Sequence, residues 1–105
     1  MKPFFIKKPV DVLAVVGESI EVPCRLGGDP LPVVRWRRMN GGDMVMLRKP
    51  NVLHIDSATR HDTDIYICEG ENLVALVSTQ IQITVKGRIH LACFNSYYVI
   101  MNLKG

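Results

Sequence analysis

Apolar and polar residues alternate along most of the chain in short runs, and turn-forming residues break the runs at close intervals. In Ser19-Ile20-Glu21-Val22-Pro23-Cys24, the residues Ile20, Val22 and Cys24 fall on one side and Glu21 on the other. A period of two of this kind marks a half-buried β-strand. Val34-Arg35-Trp36-Arg37 repeats it, with Val34 and Trp36 inward and Arg35 and Arg37 outward. Val52–Ile55 sends Leu53 and Ile55 inward, and Ile65–Glu69 carries Tyr66 and Cys68 on one side. Gln80–Val85 has the clearest alternation, and Met44–Leu47 is expected as a further, modest strand. Between these runs stand Val16–Ser19 with Gly17, the Gly- and Pro-rich Gly27–Pro32, and Met39–Asp43, all with turn chemistry. No segment keeps a helical period over three turns. The pattern predicts seven or more short strands, an all-β fold suited to a sandwich of two antiparallel sheets.

Length narrows this to one domain: 105 residues leave no room for two of ordinary size. The alternation ends near residue 86, so residues 3–86 are expected as the domain and 87–105 as a tail of different character. That tail, GRIHLACFNSYYVIMNLKG, is too short and too interrupted by Asn95 and Ser96 to span a bilayer, which takes about 20 residues. Three readings stand for it: an additional edge strand, an alternative transcript end, or a remnant of cloning. The N-terminal MKPFFIKKPV lacks the apolar run of a signal peptide, so an extracellular destination implies a fragment of a longer precursor.

Charge adds an exclusion. The net charge is +3, and two of the 13 basic residues, Arg88 and Lys104, lie in the tail, so the domain itself is close to neutral. General nucleic-acid binding needs a dense basic surface and is not expected. His54, His61 and His90 are scattered without ligand spacing, so neither a metal nor a cofactor is expected. Three cysteines, Cys24, Cys68 and Cys93, with no C-x-x-C pair, point to one disulfide and one spare thiol. Cys68 as a nucleophile would need a nearby base, and His61 is not placed beside it by a corner and a strand. In a sandwich, one cysteine from each sheet can meet across layers about 10 Å apart, with a tryptophan packed on the bridge.

Cys24, Trp36, the run Asp62-Thr63-Asp64-Ile65-Tyr66-Ile67-Cys68 and the following Glu71-Asn72 resemble the intermediate set (I-set) of the immunoglobulin superfamily. Asp64 stands where that family commonly has glycine, Gly70 replaces an alanine, and Ala75 replaces a glycine. The resemblance implies an immunoglobulin-like β-sandwich with a Cys24–Cys68 disulfide and core residues Trp36 and Tyr66, the tyrosine hydroxyl reaching the backbone of the preceding corner. It also implies an acid at that corner paired with an arginine, for which Asp62 with Arg48 is the expected pair and Arg60 the next partner. The interval between the cysteines is short for the family, so the region between Trp36 and Ile55 is expected to be abbreviated. The string Gly28–Arg38, GDPLPVVRWRR, and the opening Pro3–Pro9 look like domains of Roundabout-type axon-guidance receptors; LAR-type receptor phosphatases carry similar strings.

That finer likeness implies a non-catalytic adhesion module of a multi-domain, single-pass cell-surface receptor, acting outside the cell. Its partners would be a protein ligand, neighbouring immunoglobulin domains or heparan sulfate. Arg35, Arg37 and Arg38, with Lys7 and Lys8, are the candidate binding residues, since clustered guanidinium and ammonium groups recognise sulfate and carboxylate. Ile65 and Ile67 are expected to be exposed beside the arginines. The competing reading is a structural I-set domain of a titin- or myosin-kinase-like cytoskeletal protein.

Overall fold

The computed structural model describes residues 1–41 and 44–102. Its strands in chain order are β1 (Phe4–Lys7), β2 (Val12–Val15), β3 (Ile20–Pro23), β4 (Arg25–Gly27), β5 (Val33–Arg38), β6 (Val52–Ile55), β7 (Asp64–Glu71), β8 (Leu76–Lys86), β9 (Ile89–Phe94) and β10 (Tyr97–Asn102). One 3-10 turn, Arg60–Asp62, precedes β7.

Strands β3 and β4 are two halves of one extended run that breaks at Cys24. Pairing of β1 with β4 and of β3 with β6, both antiparallel, makes them one layer. The other layer is four-stranded in the order β2-β8-β7-β5. Its β8, β7 and β5 are antiparallel, but β2 lies parallel to β8, from Val12 opposite Ile83 to Val15 opposite Lys86. The expectation of wholly antiparallel sheets is corrected at this edge. The chain leaves β1 in the first layer, passes Pro9 where no N–H is available for a ladder, and joins the second layer beside β8.

Alternation decides what the layers bury. Ile20, Val22, Cys24, Leu26 and Leu53 from one layer meet Trp36, Tyr66, Cys68, Ile81, Ile83 and Val85 from the other, all buried. Gly17 takes φ +95° in the turn between β2 and β3, a conformation that favours glycine. Gly70 has a different reason: a Cβ there would collide with Leu26 Cδ2. Leucine at 26 thus fills the space that the family's usual alanine would take.

Three expectations change. Met44–Leu47 is not a strand: Met44 makes an isolated bridge to Arg37, and one bond, from the Val45 N–H to the Trp36 carbonyl, ties the segment to β5. Gly42 and Asp43 of the expected turn lie outside the described residues. Ile67 is buried and Ile65 half-buried, where exposure was expected. Ile67 sits in register between Arg37 and Gln80, whose aliphatic stems are placed to cover it. Of the three readings of the tail, an added edge strand is not seen among the described residues. Strands β9 and β10 pair with each other through a turn at Asn95 and Ser96, both at positive φ. Strand β8 is flanked by β2 and β7, and the free edges of the sheet, on β2 and β5, pair with neither β9 nor β10. Residues 103–105 lie outside the described residues.

Candidate functional site

Cys24 and Cys68 are joined by a disulfide between the layers, and both are fully buried. Trp36 is opposite Cys68 in the β5–β7 register and is 1% exposed, with its indole Nε1–H donating to the Asn51 carbonyl at 3.3 Å. The buried Tyr66 hydroxyl donates to the Asp62 carbonyl at 2.6 Å, closing the corner before β7. Burial raises this phenol above its ordinary range; the Arg38 charge opposes the rise, and the Asp62 and Asp64 charges add to it.

Asp64, at the position where glycine is common, is a buried carboxylate that sequence reasoning left without a role. It accepts from Arg38 Nε at 3.1 Å, Asn40 Nδ2 at 2.9 Å and the Ile65 N–H at 2.6 Å. Burial penalises its charge, yet the Ile65 N–H, Arg38 and Asn40 together hold its pKa below the usual 3.8. Arg38 also donates to the His61 carbonyl at 2.7 Å and lies 5.6 Å from the Tyr66 ring centroid. The corner ion pair is therefore Asp64 with Arg38. Asp62 instead turns back to accept the Thr59 N–H at 2.8 Å, capping the 3-10 turn, and Arg48 pairs with Asp56 at 3.2 Å. The expected Asp62–Arg48 pair is not formed, because capping uses the Asp62 carboxylate and β6 carries Arg48's partner to the opposite layer.

The candidate basic residues are not brought together. Arg35 lies 3.5 Å from Glu71, Arg37 pairs with Glu69, and Arg38 is committed to Asp64. Lys7 and Lys8 belong to the β1 edge of the other layer, where Lys8 stands 5.9 Å over the Phe5 ring. On the outer surface of that layer His54 bridges two carboxylates, Nδ1 to Glu21 at 3.1 Å and Nε2 to Asp56 at 2.6 Å. The Lys49 charge and the hydrogen bond with His54 hold Glu21 below its usual range, and the bond with His54 does the same for Asp56. Among the described residues no group of three or more His, Cys, Asp or Glu is arranged to hold a metal. The His90 side chain lies outside them.

The largest feature missed in sequence is at the end of the sandwich where β5 begins and β7 turns into β8. Leu31, Val33, Leu73 and Leu76 are 77%, 66%, 94% and 51% exposed there. Val33, Glu71 and Leu76 form one cross-strand row. Asn72 organises this end: its Nδ2 donates to the Met1 and Pro30 carbonyls, both at 2.9 Å, and its Oδ1 accepts the Val74 N–H at 2.9 Å. A side chain amide that satisfies four backbone groups, the Ala75 N–H at 3.2 Å being the fourth, holds the N-terminal residue, the loop before β5 and the β7–β8 turn in fixed relation. The signal in sequence was a run of apolar residues in turn-like segments, Leu31 between prolines and Leu73-Val74 after Asn72.

The sequence pattern of the immunoglobulin domain matches residues 2–72. The chain belongs to the immunoglobulin domain family. Roundabout homolog 1 of Mus musculus is 33% identical to this immunoglobulin domain over 92 residues, covering 85% of the chain and 6% of the relative. Muscle M-line assembly protein unc-89 of Caenorhabditis elegans is 36% identical over 87 residues, covering 75% of the chain and 1% of the relative. The domain thus spans a small fraction of either protein. Among solved structures, a chain of the titin M10–obscurin-like 1 Ig complex superposes with a TM-score of 0.71 at 26% identity, covering 80% of this domain and 93% of that chain.

Proposed function

We propose that this immunoglobulin domain is a non-catalytic recognition module of a multi-domain cell-surface protein, with its sheet faces and end loops turned to partners outside the cell. The observation that carries the reading is the fully buried Cys24–Cys68 disulfide. Such crosslinks persist in oxidising compartments and are rare in reducing ones. The likeness to Roundabout homolog 1 supports a role in neuronal adhesion or axon guidance. A protein partner suits the surface better than heparan sulfate: Arg35, Arg37 and Arg38 each face a carboxylate, so a polyanion would have to displace three internal partners.

The second reading, a structural module of a cytoskeletal protein, has the likeness to unc-89 and to the titin M10 complex in its favour. Redox state separates the two. Protein isolated from its source cells under alkylating, non-reducing conditions should show Cys24 and Cys68 linked to each other by peptide mass spectrometry. Alkylation of both thiols without reductant would overturn the cell-surface reading. For the glycan, heparin binding at low salt that is abolished by Arg35→Ala with Arg37→Ala would reverse the preference for protein.

A further inference from the structure

We propose that the C-terminal hairpin, β9 with β10, is a membrane-surface contact that seats in the headgroup region of an anionic lipid bilayer without crossing it. This goes beyond the recognition reading and does not depend on it.

Three observations carry it. The first is isolation. Strands β9 and β10 pair with each other alone, from Ile89 opposite Asn102 to Phe94 opposite Tyr97. Asn95 and Ser96 take φ +44° and +71°, the double positive φ of the two-residue turn that suits a hairpin. The molecule measures 66 Å along its long axis and 25 by 20 Å across, so the hairpin stands off the end of the sandwich. A lone two-stranded hairpin is marginally stable in water. It gains from cover that the sandwich does not provide.

The second observation is that both of its faces are apolar. Successive residues of a strand point to opposite faces. Tyr97 and Val99, 75% and 44% exposed, therefore lie on one face, and Tyr98 and Ile100, 74% and 67% exposed, on the other. A second copy added at an edge leaves both faces in water, and one stacked on the hairpin leaves one. A lipid interface surrounds both, and tyrosine favours that depth. The open hairpin edges keep the contact shallow, because unpaired backbone groups do not enter hydrocarbon. Strands of six residues reach about 20 Å, short of the roughly 30 Å that a span requires.

The third observation is charge. No acidic residue follows Glu71 in the sequence, and no Asp, Glu, Lys or Arg lies between Arg88 and Lys104. The charges gather at the base instead. Lys86 and Arg88 are exposed there, with Arg60 on the 3-10 turn that Thr63 ties to Val85. The acids at this end, Glu18 and Asp62, are held by the Val15 and Thr59 N–H groups. An apolar, aromatic arm with a basic base matches a bilayer whose phosphates lie above its acyl chains.

The test is flotation of the full chain with vesicles of phosphatidylcholine and phosphatidylserine. The chain carries Cys93→Ser, so that no intermolecular disulfide through the exposed Cys93 reports. Binding is expected, and Tyr98→Ser with Ile100→Asp should weaken it about tenfold or more. Lys86→Glu with Arg88→Glu, or vesicles of phosphatidylcholine alone, should weaken it about tenfold. Leu31→Asp with Leu73→Asp, at the other end of the sandwich, should leave it within about twofold. Tyr97→Trp should be quenched by lipid brominated in its acyl chains, a readout that a fold defect elsewhere cannot produce. No flotation overturns the proposal, as does binding that the hairpin substitutions leave unchanged or that the Leu31 and Leu73 substitutions abolish. A reversible dimer in sedimentation equilibrium that Ile100→Asp dissolves, without flotation, overturns it too and assigns the hairpin to a second copy.

Discussion

Replacing Asp64 should damage this domain more than any substitution on its charged outer face. The carboxylate is 5% exposed and takes hydrogen bonds from Arg38, Asn40 and the Ile65 N–H. Asp64→Ala strands all three donors. Breaking a buried pair by removing one partner costs about 3–5 kcal/mol, and an unpaired buried donor about 1–3 kcal/mol. Arg38 is one-third exposed and keeps its bond to the His61 carbonyl, so its charge regains water and the lower end applies. The expected loss is about 3 kcal/mol, a large share of the roughly 5–15 kcal/mol that holds a domain folded. Asp64→Gly, the residue common in the family, should do no better, because glycine supplies no acceptor either. Urea unfolding followed by Trp36 fluorescence measures this directly, and the midpoint should fall by about 2 M with the slope unchanged. A double-mutant cycle with Arg38→Ala should show coupling of about 2 kcal/mol, against about 0.5 kcal/mol for Arg35 with Glu71. A loss below about 1 kcal/mol, or additive effects of Asp64→Ala and Arg38→Ala, would refute the reasoning.

Other outcomes follow from the same core. The Asp64 pKa is lowered on folding, so its contribution is present above the ordinary carboxylate value of 3.8 and is lost as pH falls through the folded value; the stability gap between the native chain and Asp64→Asn should close below that pH in acid titrations of urea stability. Tyr66→Phe removes the hydroxyl bond to the Asp62 carbonyl and should cost about 1 kcal/mol in the same assay, with the core otherwise unchanged. Cys24→Ala with Cys68→Ala opens a crosslink spanning 44 residues and should cost about 4 kcal/mol on the chain-entropy account, enough to show as a large drop in Tm by calorimetry.

The sandwich was legible because period-two alternation is a direct record of burial: Ile20, Val22 and Cys24 are buried, as are Leu53, Tyr66 and Ile83. Trp36 and Tyr66 were readable through their spacing from the cysteines. Pairing partners were not, since alternation says which side a residue faces and nothing of what lies across from it. Asp62 and Asp64 show the limit. Both are acids at the same corner and both share a parity, but only Asp64 lies within β7, opposite Ile83 of β8, with its carboxylate in reach of Arg38. Asp62 sits two residues earlier in a 3-10 turn, where its carboxylate finds the Thr59 N–H first. The hairpin at the C-terminus was hidden for a related reason: alternation marks a strand but does not say whether it pairs with an edge of the sandwich or, as β9 and β10 do, with its own neighbour.

Register also decides what the outer face can recognise. Arg35 and Arg37 look like a basic stripe when the chain is read linearly, because nothing in GDPLPVVRWRR shows their neighbours. Strand β7 is antiparallel to β5, with Glu69 opposite Arg35 and Glu71 opposite Val33. Parity then puts Glu69 and Glu71 on the same side as the arginines. A shift of β7 by one residue would turn Tyr66 and Cys68 outward and break the disulfide, so core and face are fixed by one and the same pairing. The cysteine that holds the layers together therefore also places acid beside base on the surface. A polyanion on this face would have to displace the acids that already pair with Arg35 and Arg37.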